Sequence, residues 1–185
     1  LRYLQQVRPR CARRELFLTL KAPFRTLSAG GLYHVVSSRL AQLNIQSLRH
    51  GPHSLRHACA SHLLAEGFSL KEIGDHLGHR SASATWCAQL RAIPFKKPTA
   101  RALIAYLEKS ELNALLAAPD SQTAQGRRDQ ALLLFLYNSG ARASEAAQLL
   151  IADLHLSASY VTVLGKGDKK RQCPLWSATV RALSA

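Results

Sequence analysis

Apolar residues recur at helical spacing through most of the chain. Leu1 to Val7 reads as the end of a helix, and Ser28 as the N-cap of a helix running to about Leu43. Ser54 to Glu66 continues the pattern, with Gly67 as its C-terminal stop. Ser69-Leu70-Lys71-Glu72 has the form of a capping box and opens a short helix ending near Gly78. Farther along, Ser110 and Glu111 open a helix that ends before Pro119. Gly126 to Ser139 is a strongly apolar helix stopped by Gly140, and Ser144 to Leu150 is another. Two stretches break the helical period. Leu16 to Leu20 is short and apolar and reads as a small strand. Ser159 to Leu164 is β-branched and aromatic. With Gly165-Lys166-Gly167-Asp168 and then Lys169 to Leu175 it predicts a hairpin with a Gly-rich turn. Ser177 to Ala185 returns to helix. Pro94, Lys96, Lys97 and Pro98 mark residues 86–106 as an extended basic linker. The fold class is therefore mainly α with a small antiparallel β-sheet or hairpin.

Charge changes this picture from a generic helical protein to one with a partner. Among 185 residues there are 25 Lys plus Arg against 11 Asp plus Glu, a formal charge of +14. The partner is polyanionic, and nucleic acid is the first candidate. A membrane-surface protein would concentrate its cations on one amphipathic helix, whereas here they spread along the whole chain. No apolar run approaches the ~18 residues of a membrane span, and the first residues lack the apolar core of a signal peptide. The cysteines Cys11, Cys59, Cys87 and Cys173 form no C-x-x-C pair and read as free thiols of a reducing compartment. The expected location is the cytoplasm. Methionine is absent, which fits a fragment.

Four constellations could carry chemistry. His53-Ser54-Leu55-Arg56-His57 places His53 and Arg56 on one face of a helix start. Leu77-Gly78-His79 closes the capped helix. Together they offer imidazoles and a guanidinium, groups that grip phosphate or move a proton. The plain alternative is a set of surface histidines. A zinc site is a second alternative, from the His53/His57 and His76/His79 spacings, but H-E-x-x-H and paired cysteines are missing. In Ser139-Gly140-Ala141-Arg142-Ala143-Ser144-Glu145 an arginine sits on a tight turn between helices; the alternative is a capping turn with a solvated arginine. Gly165-Lys166-Gly167-Asp168-Lys169-Lys170-Arg171 loads a hairpin tip with cations suited to a DNA backbone, or is simply a solvated hairpin. It is not a phosphate-binding Walker loop, because that spacing is absent.

Together these motifs resemble the tyrosine recombinase family of phage integrases, Xer-type recombinases and transposon recombinases. The likeness covers nearly the whole chain. It implies the DNA breaking-rejoining catalytic-domain fold and phosphodiester transfer in DNA integration and recombination, with double-stranded DNA and other recombinase subunits as partners and without cofactor or metal. By resemblance, Arg142 is the first catalytic arginine and Lys166 the hairpin lysine. His53 and Arg56 are the His-x-x-Arg pair, and His79 is the second histidine. The chemistry suits those roles: fixed guanidiniums and a histidine stabilise charge on the transition-state oxygens, and a lysine protonates the departing 5′ oxygen.

The chain departs from the family pattern twice. The family's nucleophilic tyrosine closes a Thr-x-x-Tyr pattern after the Leu-Gly-His histidine. Here that stretch is Thr85-Trp86-Cys87-Ala88, so Ala88 occupies the slot. Cys87 is one residue off, which on a helix turns its side chain away by about 100°. The chain is thus expected to be inactive alone, with a non-catalytic DNA-binding or interfering remnant as the alternative function. A non-functional remnant and an RNA-binding protein are further alternatives. The second departure is order. Residues 1–85 resemble the C-terminal half of the catalytic domain and residues 107–185 its N-terminal half, joined by the linker 86–106. That order fits a circular permutation or a fusion of two recombinases, folding within one chain or by swapping halves between chains.

Overall fold

The computed structural model describes residues 3–45, 50–78, 107–165 and 168–184. Eight α-helices and a three-stranded antiparallel sheet form among them. The helices are α1 (Tyr3–Gln6), α2 (Ala29–Gln42), α3 (Pro52–Ala65), α4 (Leu70–Leu77), α5 (Lys109–Ala117), α6 (Ala124–Ser139), α7 (Ala143–Gln148) and α8 (Ser177–Leu183). The strands are β1 (Leu154–His155), β2 (Tyr160–Leu164) and β3 (Lys170–Pro174), in that spatial order. The expected mainly helical architecture with a small antiparallel sheet is what the chain adopts. No helix of the described residues is long and apolar enough to cross a membrane.

Local chemistry sets the helix ends. Ser28 Oγ accepts from Gly31 N at 3.1 Å and Thr123 Oγ1 from Gly126 N at 2.9 Å, each satisfying a donor that the first turn leaves open. Ser69 and Glu72 form the full reciprocal capping box. Gly78 and Gly140 end α4 and α6 in the left-handed conformation, with φ of +68° and +55°. Leu32, Val35, Val36 and Leu40 bury one face of α2, and α6 is buried along nearly its whole length. That helix is the centre of the molecule.

Both halves of the chain supply the core around it. From the first half, α1 and α3 pack on α6 and α2 packs on α7. Rings of Tyr3, Phe17 and Phe135 follow one another at centroid distances of 5.5 and 5.8 Å. The backbone joins the halves too, with Leu16 N donating to Leu149 O at 2.7 Å and Ile151 N to Arg14 O at 2.9 Å. Asn138, fully buried in α6, donates to Pro174 O at 3.0 Å and accepts from Trp176 N at 2.8 Å. α1 also packs against α8, so the first and last described helices are neighbours.

Several boundaries differ from expectation. Leu16–Leu20 is not a strand; it makes isolated bridges at Glu15–Leu150 and Leu18–Thr26. Leu16, Phe17 and Leu18 are buried in succession, but single bridges in place of consecutive pairs leave no ladder for a strand. Helix α3 begins at Pro52 rather than Ser54, because proline suits the first helical position. The Ser54 hydroxyl lies inside that turn and donates to Gly51 O at 2.7 Å. Helix α7 stops at Gln148, since Leu149 and Leu150 turn to meet the Glu15 segment. Strand β1 was unforeseen: two residues are too few to carry an alternating pattern. The hairpin strands pair as expected, Val161 opposite Cys173 and Leu164 opposite Lys170. The expected linker, the turn residues Lys166 and Gly167, and the positions His79 and Ala88 lie outside the described residues.

Candidate functional site

Three arginines from separate parts of the chain meet around one buried glutamate. Arg56 projects from the start of the second turn of α3 and is 5% exposed. Its Nη2 donates to Leu77 O at 2.6 Å and its Nη1 donates to Gly140 O. These carbonyls are at the C-terminal ends of α4 and α6, where the helix dipole favours a cation. One guanidinium thus ties the Leu-Gly turn of the first half to the Gly-Ala-Arg turn of the second.

Arg142 follows directly from that second turn. It occupies the N-cap position of α7, its backbone N–H donating to Glu145 Oε2 at 3.0 Å and its Nη1 to Glu145 Oε1 at 2.7 Å. Its side chain remains 37% exposed, so a guanidinium face stays open to a ligand. Arg171 enters from β3, with Nη2 donating to Glu145 Oε2 at 2.8 Å and Nε to His76 O at 3.0 Å. Among the described residues two guanidiniums, Arg142 and Arg171, pair with the single Glu145 carboxylate, and Arg56 lies buried beside them.

The glycines of both motifs are there for close approach as well as for backbone conformation. A Cβ on Gly140 would lie 2.2 Å from Leu77 Cδ2, and one on Gly78 would lie 2.9 Å from Arg171 Nη1. A Cβ on Gly165 would come within 3.3 Å of the same nitrogen.

Of the expected site residues, the structure brings Arg56 and Arg142 together. His53 stands exposed in the same helical turn as Arg56, with its ring 5.5 Å from that of His57. His79, Lys166 and Ala88 lie outside the described residues. The hairpin cations divide: Lys169 and Lys170 are exposed, but Arg171 turns inward and is not part of a solvated tip. Its direction was legible in principle, because strand alternation puts Arg171 on the same face as buried Cys173. Glu145 also went unremarked as a site residue, since its role depends on partners distant in sequence. Among the described residues no group of three or more His, Cys, Asp or Glu is placed to hold a metal ion.

Burial pushes the Arg56 guanidinium down to about 10, with neighbouring Arg142 and Arg171 lowering it further and Glu145 opposing. It still carries its charge at neutral pH. Burial would raise Glu145, but hydrogen bonds from Arg171 and the Arg142 backbone outweigh it and hold the carboxyl below its ordinary value. Burial lowers His76, whose Nε2 donates to Asn138 O at 2.9 Å, and Arg171 and Arg56 add to the lowering. For both His76 and Glu145 the folded state therefore binds fewer protons than the unfolded one. Their contribution to stability is complete above about pH 6.5, the ordinary histidine value. Acidification removes the His76 part as pH falls through its depressed folded value. The Glu145 part follows below about pH 4.3, the ordinary glutamate value. Thermal unfolding midpoints measured against pH should fall in two stages, and His76→Gln should remove the upper one. A midpoint that holds level down to the carboxylate range would contradict these assignments.

The arrangement matches known proteins in sequence. The model of the phage integrase family matches residues 3–88 and 105–185. An integrase/recombinase of Sinorhizobium fredii is 45% identical over 82 residues, 43% of this chain and 29% of that protein. Tyrosine recombinase XerD of Neisseria meningitidis is 44% identical over 69 residues, 37% of this chain and 24% of the relative. Tyrosine recombinase XerC of Pelobacter propionicus is 41% identical over 78 residues, 42% and 26% of the two. Each match thus takes in less than a third of the relative's own length. No solved structure gives a significant match.

Proposed function

Because the chain belongs to the phage integrase family, we propose that it is a recombinase catalytic domain that grips a DNA phosphodiester but does not cut it alone. The observation that carries this reading is the Arg142–Arg171 pair, whose charge exceeds that of the one carboxylate, Glu145, that both share, with Arg56 buried beside it. A buried excess of positive charge calls for an anion, and guanidiniums bind phosphate oxygens in pairs. Arg142, with its open face, contacts a non-bridging oxygen. Arg56 supplies fixed charge from beneath, and His53 donates a hydrogen bond from the exposed turn. Lys166 protonates the leaving 5′ oxygen, and His79 occupies the second histidine position.

Complete transfer needs a hydroxyl nucleophile. A tyrosyl oxygen would form a bond to phosphorus as the bond to the 5′ oxygen breaks, and the phosphotyrosyl link would conserve the bond energy without cofactor. Ala88 offers no hydroxyl. Cleavage therefore requires a tyrosine from another recombinase subunit, and alone the chain is a non-catalytic DNA binder that interferes with intact relatives. Residues 1–85 and 107–185 serve as the later and earlier halves of one catalytic unit in inverted order. Their shared core around α6 supports that assignment.

Duplex DNA binding measured across a salt series tests this. Affinity is expected to fall steeply as salt rises, through release of counterions from the phosphates. Arg142→Ala should lower affinity about tenfold at fixed salt, the scale of one charge-assisted hydrogen bond, with little change in stability. Incubation with nicked or intact duplex should yield no covalent complex. Salt-independent binding, or covalent attachment by the chain alone, would overturn the proposal.

A further inference from the structure

Arg171 belongs to the cationic cluster but has no phosphate contact assigned to it above, and it has more structural connections than a surface cation needs. Its side chain is 9% exposed. One edge of the guanidinium serves Glu145 and His76 O together, at 2.8 and 3.0 Å. The glycine backbones at 78 and 165 close against Nη1, which has no hydrogen-bond partner among the described residues. A buried charge is costly unless paired in good geometry, and here the pairing is to a carboxylate that is itself buried.

That carboxylate is what gives the contact a consequence for function. Glu145 Oε2 accepts from both Arg171 and the Arg142 backbone N–H, and Oε1 accepts from the Arg142 guanidinium. The backbone bond ties the carboxylate to the start of α7, and the Arg171 bond from β3 adds a second, directional hold on Oε2 that sets how Oε1 meets the Arg142 guanidinium. The His76 carbonyl bond fixes the other end of the clamp on α4. A planar fork can hold both acceptors at once, whereas a lysine ammonium at the end of a flexible stem cannot reproduce that geometry.

We propose that Arg171 is a positioning residue: it clamps Glu145 against α4, so that the carboxylate holds Arg142 in its phosphate-binding orientation. The proposal rests on reading Arg142 as a phosphate ligand, and its test separates the two. In the full chain, binding of a random-sequence DNA duplex is measured for wild type, R142A, R171Q, R171K and the R142A/R171Q double variant, beside thermal unfolding and NMR of the Arg142 guanidinium and the Glu145 carboxyl. R171Q is expected to lose about as much affinity as R142A, on the order of tenfold. The double variant should be no weaker than R142A alone. R171K keeps the charge but should restore little. In both Arg171 variants the Arg142 guanidinium signal should move and Glu145 should titrate higher.

Full rescue by R171K would overturn the proposal, because it would make Arg171 a plain cation. Additive losses in the double variant would overturn it as well, since Arg171 would then act independently of Arg142. An unmoved Arg142 signal in R171K would overturn it even if R171Q fails to fold. If wild type binds no duplex at low salt, the parent reading fails and the phosphate-binding part of the proposal is overturned with it. The NMR measurement still decides whether Arg171 sets Arg142.

Discussion

Arg56→Met is expected to cost about 3–5 kcal/mol of folding stability, the range for removing one side of a buried charged network. Methionine fills much of the volume of the arginine stem but offers no donor. The Leu77 and Gly140 carbonyls, each at the end of a helix, would lose the guanidinium that satisfies them, and leaving a buried acceptor unmet costs roughly 1–3 kcal/mol. Glu145 would keep Arg142 and Arg171, so the site would not collapse electrostatically. The loss falls on the joint between α3, α4 and α6. Arg56→Lys should recover part of the loss, because an ammonium can reach one carbonyl but not span both. Urea unfolding checks this, with Arg142→Ala as the comparison. Arg142 is partly exposed and caps no second helix, so its loss should cost far less. Equal costs for the two would contradict the assignment of Arg56 as the seam's tie.

Gly140→Ala should be comparably damaging for a different reason. Gly140 has φ of +55°, and its ideal Cβ would lie 2.2 Å from Leu77 Cδ2 and 3.5 Å from Cys59 Sγ. A non-glycine residue in the left-handed region carries strain of roughly 1–3 kcal/mol. Overpacking a filled core adds typically 1–3 kcal/mol. Relief requires the buried Leu77 side chain to repack or α4 to shift from α6, and a shift of α4 stretches both Arg56 bonds and displaces the turn that presents Arg142. The methyl should therefore weaken duplex binding as well as stability, whereas Gly67→Ala should affect stability alone. Gly67 shares a positive φ of +88° but has nothing within 4 Å of its Cβ. Stability unfolding curves and duplex affinities for the two variants separate strain from steric contact. A Gly140→Ala protein that keeps wild-type affinity would show that the turn and α4 are not coupled.

These two positions also mark what was legible in the chain and what was not. Gly140 as a helix stop, the Ser69–Glu72 box and the Ser28 cap follow from residues a few positions apart, and all three form as read. His-x-x-Arg and Gly-x-Arg could be singled out as motifs because their spacing is local. What joins them could not be read in the same way. Arg56 reaches across 84 residues to Gly140, and Arg171 across 95 to His76 and 26 to Glu145. Nothing in local periodicity says that an arginine in a basic hairpin turns inward, except the faint alternation it shares with Cys173. The Leu16–Leu20 segment failed for the complementary reason. Its hydrophobicity was plain, but whether a partner strand lies alongside depends on distant residues, and here it meets only isolated bridges.

The central claim is that the described residues on the two sides of segment 79–106 build one core and one arginine site. A specific protease site introduced between residues 86 and 106 of the full chain tests it most directly. The protein is folded, cut, and then followed by size-exclusion chromatography and thermal unfolding. The account predicts that the fragments elute together, unfold in one cooperative transition and still bind duplex DNA. Fragments that separate after the cut, or that unfold in two independent transitions, would contradict it.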